Sequence, residues 1–308
     1  VKRVHVDTVY WIYIPDVATT MNALVAGEID FWESPAVDLV PSMEGNADIT
    51  IKVIDPLGTQ GWLRPNHLNP PFDNPKARQA LTHMVNQEDY LRAIIGDEKF
   101  WSTCPAYFMC GTPLDTDIGS EALVNQDLEK ARALLKEGGY NGETLILMDP
   151  TDIPVLHGAS LVTAQMLRDI GAKVEVQAMD WSTLTSRRAE RKSIADGGWN
   201  IFHTYSTGAD VSSPIANIGI SGGCEEKAWF GWPCDRDGPD SLEGLRDAFS
   251  EESDPVKQKV IATKLQARAY EVVPYVNYGQ WFQPTAYRSS LKGVLISPVP
   301  FFWNIELN

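Results

Sequence analysis

Four cysteines in two close pairs are the residues of this chain whose type and spacing point most directly to chemistry. Cys104 and Cys110 lie in FWSTCPAYFMCGTPL, and Cys224 and Cys234 lie in GGCEEKAWFGWPCD. Both segments are rich in proline, glycine and aromatic residues and lack the pattern of an amphipathic helix. The pattern predicts two local disulfides, Cys104–Cys110 and Cys224–Cys234, and therefore an oxidising compartment. Each bond would contribute about 2–3 kcal/mol in the loop-entropy model.

Two other interpretations of the cysteines stay open at this point. Structural zinc usually draws on CxxC pairs or nearby histidines, whereas the spacings here are CxxxxxC and CxxxxxxxxxC. Four unrelated buried thiols would pack as small hydrophobic side chains. A nucleophilic cysteine is not expected, because nothing nearby in the sequence would lower its pKa. The histidines are scattered and none is next to a cysteine pair: His5, His67, His83, His157 and His203.

Composition bounds the kind of protein. The chain has 308 residues, of which 44% are hydrophobic, and a formal net charge of −15. This length allows two domains or one large domain. The negative charge argues against nucleic acid or an anionic membrane as the main partner. No run of about 18 apolar residues occurs, so no transmembrane helix is expected.

A short motif raises the question of a serine hydrolase. Gly219-Ile220-Ser221-Gly222-Gly223 satisfies GxSxG. In hydrolases this motif joins a strand to a helix, and the catalytic histidine follows the serine in the chain. Here no helical pattern follows, and the last histidine precedes the serine. We therefore interpret the glycines as turn residues and keep hydrolysis only as a remote alternative.

Periodicity predicts the elements that position these residues. Residues 2–14 alternate as a strand, and Asn74 followed by Pro75 is a favoured helix start. Segments 143–149, 154–170 and 172–179 predict a βαβ unit with parallel strands. Further segments predict helices at 127–137, 182–191, 241–250 and 255–272, a strand at 199–205, and a long irregular stretch at 206–240. An irregular stretch of that length is usually functional.

Three motifs, taken in chain order, carry a family resemblance. They are ATTMNALVAGEIDFWE, NPPFDNPKARQALTHMVNQEDYL and NQDLEKARALLKEGGY. Their order and spacing resemble family 5 of the extracytoplasmic solute-binding proteins, which serve dipeptide, oligopeptide and nickel ABC transporters. The resemblance runs over nearly the whole chain. It implies an α/β fold of the two-lobed, periplasmic-binding-protein type (type II). Family members usually have a longer N-terminal portion and a signal peptide, so it also implies that this chain is N-terminally incomplete.

The resemblance implies a domain organisation and a function. One lobe would join residues 1–65 with 281–308, and the large ligand-binding lobe would be 66–280, with crossings near 62–70 and 275–284. The protein would be a monomeric, periplasmic or otherwise extracytoplasmic receptor of an ABC importer. It would close its lobes on a short peptide and deliver it to a permease in the inner membrane. No enzymatic activity, cofactor or resident metal is expected. An oligosaccharide or a nickel chelate is the alternative solute.

Binding residues follow from the resemblance as expectations. Relatives that bind peptides place an aspartate shortly after a central strand, where it pairs with the amino terminus of the ligand. Asp210 stands at that place, and the side chains before it would assist: Tyr205, Ser206 and Thr207. A carboxylate there can hold an ammonium group by charge-assisted hydrogen bonds. The alternative is a solvated aspartate that caps a turn.

Two further groups of candidates come from the crossings and the cysteine loops. On the crossings we expect Arg64, Asn66, Tyr278 and Trp281 to face the cleft. Arg64 would bind a carboxylate or form a structural ion pair. In the loops, Trp229 and Phe108 would stack on the solute or simply pack their loops, and Trp232 and Met109 carry the same two interpretations.

Overall fold

Helices and strands alternate along most of the chain. The computed structural model describes residues 2–307. The strands are β1 Phe31–Trp32, β2 Ile49–Val53, β3 Thr59–Pro65, β4 Trp101–Ser102, β5 Thr144–Pro150, β6 Lys173–Met179, β7 Ile201–Thr207, β8 Val276–Trp281, β9 Pro284–Arg288, β10 Leu291–Lys292 and β11 Glu306–Leu307. The helices are α1 Val17–Ala26, α2 Val40–Met43, α3 Pro75–Met84, α4 Gln87–Ile94, α5 Glu121–Val124, α6 Leu128–Glu137, α7 Pro154–Asp169, α8 Trp181–Arg187, α9 Gly208–Val211, α10 Cys224–Lys227, α11 Leu242–Glu251 and α12 Pro255–Val272. The predicted mixed α/β class is confirmed.

The chain forms two compact units. The larger unit consists of Gln60–Ile94 and Ser102–Gln280. The smaller unit comprises the described residues of Val1–Thr59, Ile95–Trp101 and Trp281–Asn308. The lobe boundaries expected from the sequence, 1–65 with 281–308 and 66–280, stay a proposal.

The larger unit contains a sheet whose strand order is β4-β8-β3-β7-β5-β6. The β5 strand pairs in parallel with β6 on one side and with β7 on the other. The helix α7 connects β5 to β6, so the predicted βαβ unit is confirmed. Long crossovers of this kind place the carboxyl ends of the three strands at the same edge.

Local capping explains where the main helices begin. Asn74 accepts a hydrogen bond from the Lys76 amide, and Pro75 occupies the first turn of α3, as the sequence predicts. The carboxylate of Asp127 accepts from the Lys130 amide at the start of α6. Because these caps satisfy amides that would otherwise lack partners, the local sequence alone determines these boundaries.

One hydrophobic core of the larger unit gathers residues from distant parts of the chain. Trp62 stacks on Tyr275 with ring centroids 4.5 Å apart. The same cluster contains Phe108, Ile220 and Leu265, each with no exposed surface. Burial of this kind is the largest favourable contribution to folding.

In the smaller unit a three-stranded sheet has the order β1-β9-β2. Both neighbours pair antiparallel with β9. Leu24 of α1 and Met43 of α2 pack with Ile49 and Ala286 to form its core. The motif GEID follows α1, where Gly27 has a φ of 78° and ends the helix.

Two local predictions need correction. Residues 2–14 form no strand; they lack regular secondary structure, and large side chains such as Tyr10 and Tyr13 are 81% and 89% exposed. Alternation identifies a strand only when another strand pairs with it, and within residues 2–307 none pairs with this segment. The helix α4, Gln87–Ile94, was not predicted, because eight residues give too little periodicity.

Candidate functional site

The carboxyl edge of strands β5, β6 and β7 is the candidate site. In open parallel sheets, ligands bind outside the carboxyl ends of the strands. Asp149 and Pro150 end β5, Met179 ends β6 and Thr207 ends β7. The Thr151 amide donates to the Met179 carbonyl over 3.0 Å, which joins the ends of β5 and β6. All these residues belong to the larger unit.

A turn at the end of β7 presents Asp210. Thr207 caps the short helix α9: its hydroxyl accepts from the Asp210 amide and donates to Asp210 Oδ2 over 2.9 Å. Asp210 is exposed, Ser206 is partly buried and Tyr205 is 46% exposed. The turn-capping role considered from the sequence is therefore present. It leaves Oδ1 of Asp210 without a protein partner among residues 2–307.

An aspartate–histidine pair stands at the end of β5. Asp149 is 2% exposed, and both of its carboxylate oxygens lie 2.9–3.0 Å from Nδ1 of His157. His157 lies in the first turn of α7, and its side chain is 39% exposed. A buried carboxylate bound to one ring nitrogen orients a histidine ring. In His157 the other nitrogen, Nε2, is then the one that can bind a further partner.

Helix α8 begins at the same edge, after β6. The Trp181 amide donates to Oδ1 of Asp152 over 2.8 Å. The Arg188 side chain extends back along the helix, with its Cζ 5.2 Å from the Trp181 ring centroid. Three more rings surround this guanidinium, at 5.7 Å for Phe202, 5.0 Å for Trp229 and 4.6 Å for Phe230. These four rings and Arg188 are called the arginine cradle below.

The guanidinium in the cradle is a cation without an anion. Nε of Arg188 is buried and has no hydrogen-bond partner. Within the described residues, no carboxylate pairs with it. Burial lowers the pKa of Arg188 to about 10, so the group stays charged at neutral pH. An arginine in contact with aromatic rings is suited to receive a carboxylate through its N–H groups.

The second cysteine loop supplies two rings of the cradle. Cys224 and Cys234 are joined by a disulfide with Cα atoms 4.0 Å apart. Trp229 and Phe230 lie within this loop and are partly buried, while Trp232 is 3% exposed. A cavity of about 550 Å³ opens beside the loop and is lined in part by Trp229 and Phe230.

The first cysteine loop is part of the interior. Cys104 and Cys110 are joined by a disulfide with Cα atoms 5.7 Å apart. Cys104 and Phe108 have no exposed surface. Tyr107, 2% exposed, donates its hydroxyl to the Tyr275 carbonyl over 2.8 Å. Both predicted disulfides therefore form, but only the second loop reaches the surface near the candidate site.

The crossing residues are buried. Arg64, Asn66 and Tyr278 are 0% exposed, and Trp281, in the smaller unit, is 3% exposed. The side-chain amide of Asn66 donates to the Trp199 carbonyl, and the Tyr278 hydroxyl donates to the Thr204 carbonyl. A side chain without exposed surface offers nothing to a solute in this conformation. The contacts expected for these four residues and for Phe108 stay predictions.

The Arg64 guanidinium is directed at main-chain oxygens. Its Nε donates to the Phe230 carbonyl over 2.6 Å, and its Nη1 donates to the Gly219 carbonyl. Nη2 lies 3.4 Å from the Trp229 carbonyl. Burial lowers the pKa of Arg64 to about 9. These carbonyl dipoles, rather than an acidic partner within residues 2–307, stabilise the charge.

A buried polar network supports β7 beneath the edge. His203 accepts or donates hydrogen bonds with Thr163 at 2.8 Å and Ser160 at 3.3 Å. Burial lowers the pKa of His203 to about 3, so the ring is neutral at physiological pH. The Tyr90 hydroxyl lies 2.6 Å from the Thr163 hydroxyl, which links α4, α7 and β7. Such a network fixes the strand that carries the Asp210 turn.

The GxSxG motif lies in a turn. A single 3₁₀ turn at Ile218–Ile220 precedes Ser221. The Ser221 hydroxyl and the Gly222 amide both donate to Oε1 of Glu243, over 3.1 and 2.7 Å. The serine is therefore held by a carboxylate, and the strand that a nucleophile elbow requires is replaced by this turn.

Six residues of the site were missed from the sequence. Asp149 and His157 had a usable signal, because each adjoins a boundary of the predicted βαβ unit. The other four had none, since no local pattern shows that α8, β7 and the second cysteine loop meet: Trp181, Arg188, Phe202 and Phe230.

Within the described residues no group of three histidine, cysteine, aspartate or glutamate side chains could hold a metal ion. Residues 2–307 also contain no helix with the length and apolar character needed to cross a membrane.

Comparison with known proteins yields one family. Residues 1–228 match the family described as "Bacterial extracellular solute-binding proteins, family 5 Middle". A probable peptide ABC transporter periplasmic-binding protein, y4tO of Sinorhizobium fredii, is 36% identical over 99% of this chain and 57% of its own length. The chain thus spans little more than half of that relative.

Solved structures share the fold. The protein AgaA from A. tumefaciens R10, in complex with agropinic acid, has a TM-score of 0.78 at 19% identity, covering 97% of this chain and 60% of its own. The Helicobacter pylori protein DppA, in complex with the peptide STSA, has a TM-score of 0.72 at 22% identity, covering 96% of this chain and 56% of its own. At these identities the likeness concerns the fold.

Proposed function

Because the chain belongs to family 5 of the bacterial extracellular solute-binding proteins, we propose that it is the receptor for a short peptide in an ABC importer. The protein would act outside the cytoplasm and pass its ligand to a membrane permease, without catalysing a reaction. The 36% identical relative is described as a probable peptide-binding component of such a transporter. The two disulfides support an oxidising compartment.

The pairing of opposite charges at one sheet edge supports a peptide as the solute. A short peptide carries an ammonium at one end and a carboxylate at the other. Asp210 offers an exposed carboxylate at the end of β7. Arg188, the C-cap of α8, offers a half-buried guanidinium that contacts the ring of Trp181, the first residue of that helix after β6. Each can form charge-assisted hydrogen bonds with one end of the ligand.

The arginine cradle is the single observation that carries this proposal. A partly buried cation costs free energy unless an anion compensates it. Arg188 has four aromatic neighbours but no acidic one among residues 2–307. A ligand carboxylate would complete the site. Tyr205, Ser206, Thr207 and Trp229 would contact the peptide between its two ends.

Isothermal titration of a dipeptide library, several oligosaccharides and Ni²⁺ tests the solute class. We expect heat from dipeptides with free termini. Heat from Ni²⁺ alone, abolished by a chelator, or from oligosaccharides alone would contradict the proposal, and so would turnover of an ester substrate.

Variants matched to ligand chemistry test the two ends separately. Asp210→Ala should weaken binding of free dipeptides by roughly ten- to a hundredfold, as expected for a lost charged hydrogen bond of about 1.5–3 kcal/mol, yet barely change binding of N-acetylated ones. Arg188→Met should weaken binding of dipeptides with a free carboxyl terminus by a similar factor, yet barely change binding of dipeptides with an amidated one. The matched controls are Asp237→Ala, which removes another exposed carboxylate of the larger unit, and Arg187→Met, which removes the arginine next to Arg188 in the chain. Equal affinity of Asp210→Ala and the unchanged protein would show that the amine anchor lies elsewhere.

A further inference from the structure

The backbone of Trp229 and Phe230 is tied to the centre of the larger sheet by one side chain. Arg64 lies on β3, between β8 and β7 in the strand order. Its donors reach the carbonyls of Trp229 and Phe230, the two residues that supply loop rings to the cradle. Because carbonyl oxygens can accept only along limited directions, a rigid guanidinium fork fixes their orientation as well as their position.

The same arginine also contacts the ring of Trp229. Its Cζ lies 5.2 Å from that ring centroid, and Cζ of Arg188 lies 5.0 Å from it. Trp62, also on β3, meets the ring edge-to-face at 6.0 Å. Trp229 is thus in contact with a fully buried arginine and with the half-buried arginine of the cradle.

The backbone of Gly231, next to Phe230, packs closely against Arg64. The His67 amide donates to the Gly231 carbonyl over 2.8 Å. Gly231 has a φ of 96°, and a Cβ there would lie 2.7 Å from the Pro65 oxygen and 3.1 Å from Nε of Arg64. Only glycine fits so close to the arginine.

We propose that Arg64 is a positioning residue for solute binding, which holds the Trp229–Phe230 backbone and through it the guanidinium of Arg188. The assignment rests on the proposed function, because the affected step is capture of the ligand carboxylate. It gives Arg64 an indirect role in place of the direct carboxylate contact expected from the sequence.

The test compares two buried arginines. Arg78 is 6% exposed and, like Arg64, donates only to main-chain oxygens, those of Val272, Phe72 and Asp73. It contacts no part of the cradle within the described residues. We expect Arg64→Met to weaken dipeptide binding by about tenfold or more, and Arg78→Met to leave the Kd within about twofold while the protein remains folded. Arg64→Lys should recover little, since one ammonium cannot reach three carbonyls.

A second measurement needs no ligand. The Ala228 and Trp232 amides donate to the carbonyls of Cys224 and Trp229. Their hydrogen exchange should accelerate about tenfold or more in Arg64→Met relative to the Tyr107 amide, and not in Arg78→Met. Gly231→Ala keeps Arg64 but displaces the backbone, so it should reproduce both effects if Arg64→Met proves too unstable to study.

Separate outcomes distinguish this proposal from the proposed function. If no dipeptide binds any form of the protein, the proposed function fails, and the exchange measurement still decides the role of Arg64. Unchanged exchange at Ala228 and Trp232 would overturn the positioning role. Equal dipeptide affinity of Arg64→Met and the unchanged protein would overturn it as well.

Discussion

The two disulfide loops of the larger unit have the same kind of covalent closure and opposite surroundings. Cys104–Cys110 encloses Tyr107 and Phe108, which are 2% and 0% exposed. Cys224–Cys234 encloses exposed Glu225, Glu226 and Lys227 and the partly buried rings of Trp229 and Phe230. The first loop fills the core, and the second presents side chains at the surface.

Hydrogen bonds show how each loop is held. Gln87 brackets the first loop, because its side chain accepts from the Cys104 amide over 2.8 Å and donates to the Cys104 carbonyl over 2.9 Å. Asn277 donates to the carbonyls of Cys104 and Ala106. The second loop is held by Arg64, by the His67 amide that donates to the Gly231 carbonyl, and by the isolated bridge of Gly223 with Cys234. A disulfide therefore shows only that a loop is closed, while packing decides whether the loop lies in the core or at the surface.

The largest expected difference between the loops is in how much the free energy of unfolding falls when one aromatic ring of each loop is removed. Phe108→Ala should reduce the free energy of unfolding by about 3–5 kcal/mol, because it leaves a cavity in the core. Phe230→Ala should cost about 1 kcal/mol, since the ring is partly exposed and contributes mainly through its contact with Arg188. Urea unfolding followed by circular dichroism measures both. Similar costs for the two variants would contradict the comparison.

Removing each disulfide in turn should lower global stability by similar amounts but change local hydrogen exchange in only one of the two loops. Replacing either cysteine pair by alanine should lower global stability by about 2–3 kcal/mol, because both bonds close short loops. Hydrogen exchange should differ between the variants. Amides of residues 224–234 should open locally once their bond is absent, whereas amides of 104–110 should still exchange with global unfolding. Local opening of the first loop would show that its bond, rather than its packing, holds it.

The smallest expected effect is at the exposed rim of the second loop. Glu225 contacts Arg191 at 3.5 Å, and the two side chains are 57% and 48% exposed. Glu225→Ala should change the free energy of unfolding by at most about 0.5 kcal/mol, because solvent screens such pairs. Thermal unfolding at low and high salt checks this value. If Glu225→Ala lowered the free energy of unfolding by more than about 1 kcal/mol at low salt but not at high salt, the ion pair would contribute to holding the loop.

Much of the fold followed from local patterns. The cap at Asn74 predicted the start of α3, helical periodicity predicted α6, and alternation with helical periodicity predicted the unit of β5, α7 and β6. These signals succeed because their hydrogen bonds join residues close in the sequence. Residues 2–14 show the limit of the method, since alternation cannot tell whether a second strand is present to pair.

The candidate site was predicted less completely. Asp210 and the residues before it were named because the family resemblance implies an aspartate shortly after this strand. Arg188 was not named, and the sequence did not indicate the three carbonyl oxygens that Arg64 meets in the structure. These carbonyls belong to residues far away in the chain: Phe230 is 166 residues from Arg64. No local pattern carries that information.

The sequence by itself determined the family motifs, the class of elements and the pairing of cysteines, because each depends on neighbouring residues or short spacings. Tertiary structure alone decided which cysteine loop is core and which is surface. It also decided that carbonyl oxygens surround Arg64, whereas Arg188 has aromatic neighbours and no acidic partner among residues 2–307. Burial and electrostatic environment are properties of atoms brought together from distant segments. They exist only once the chain has folded.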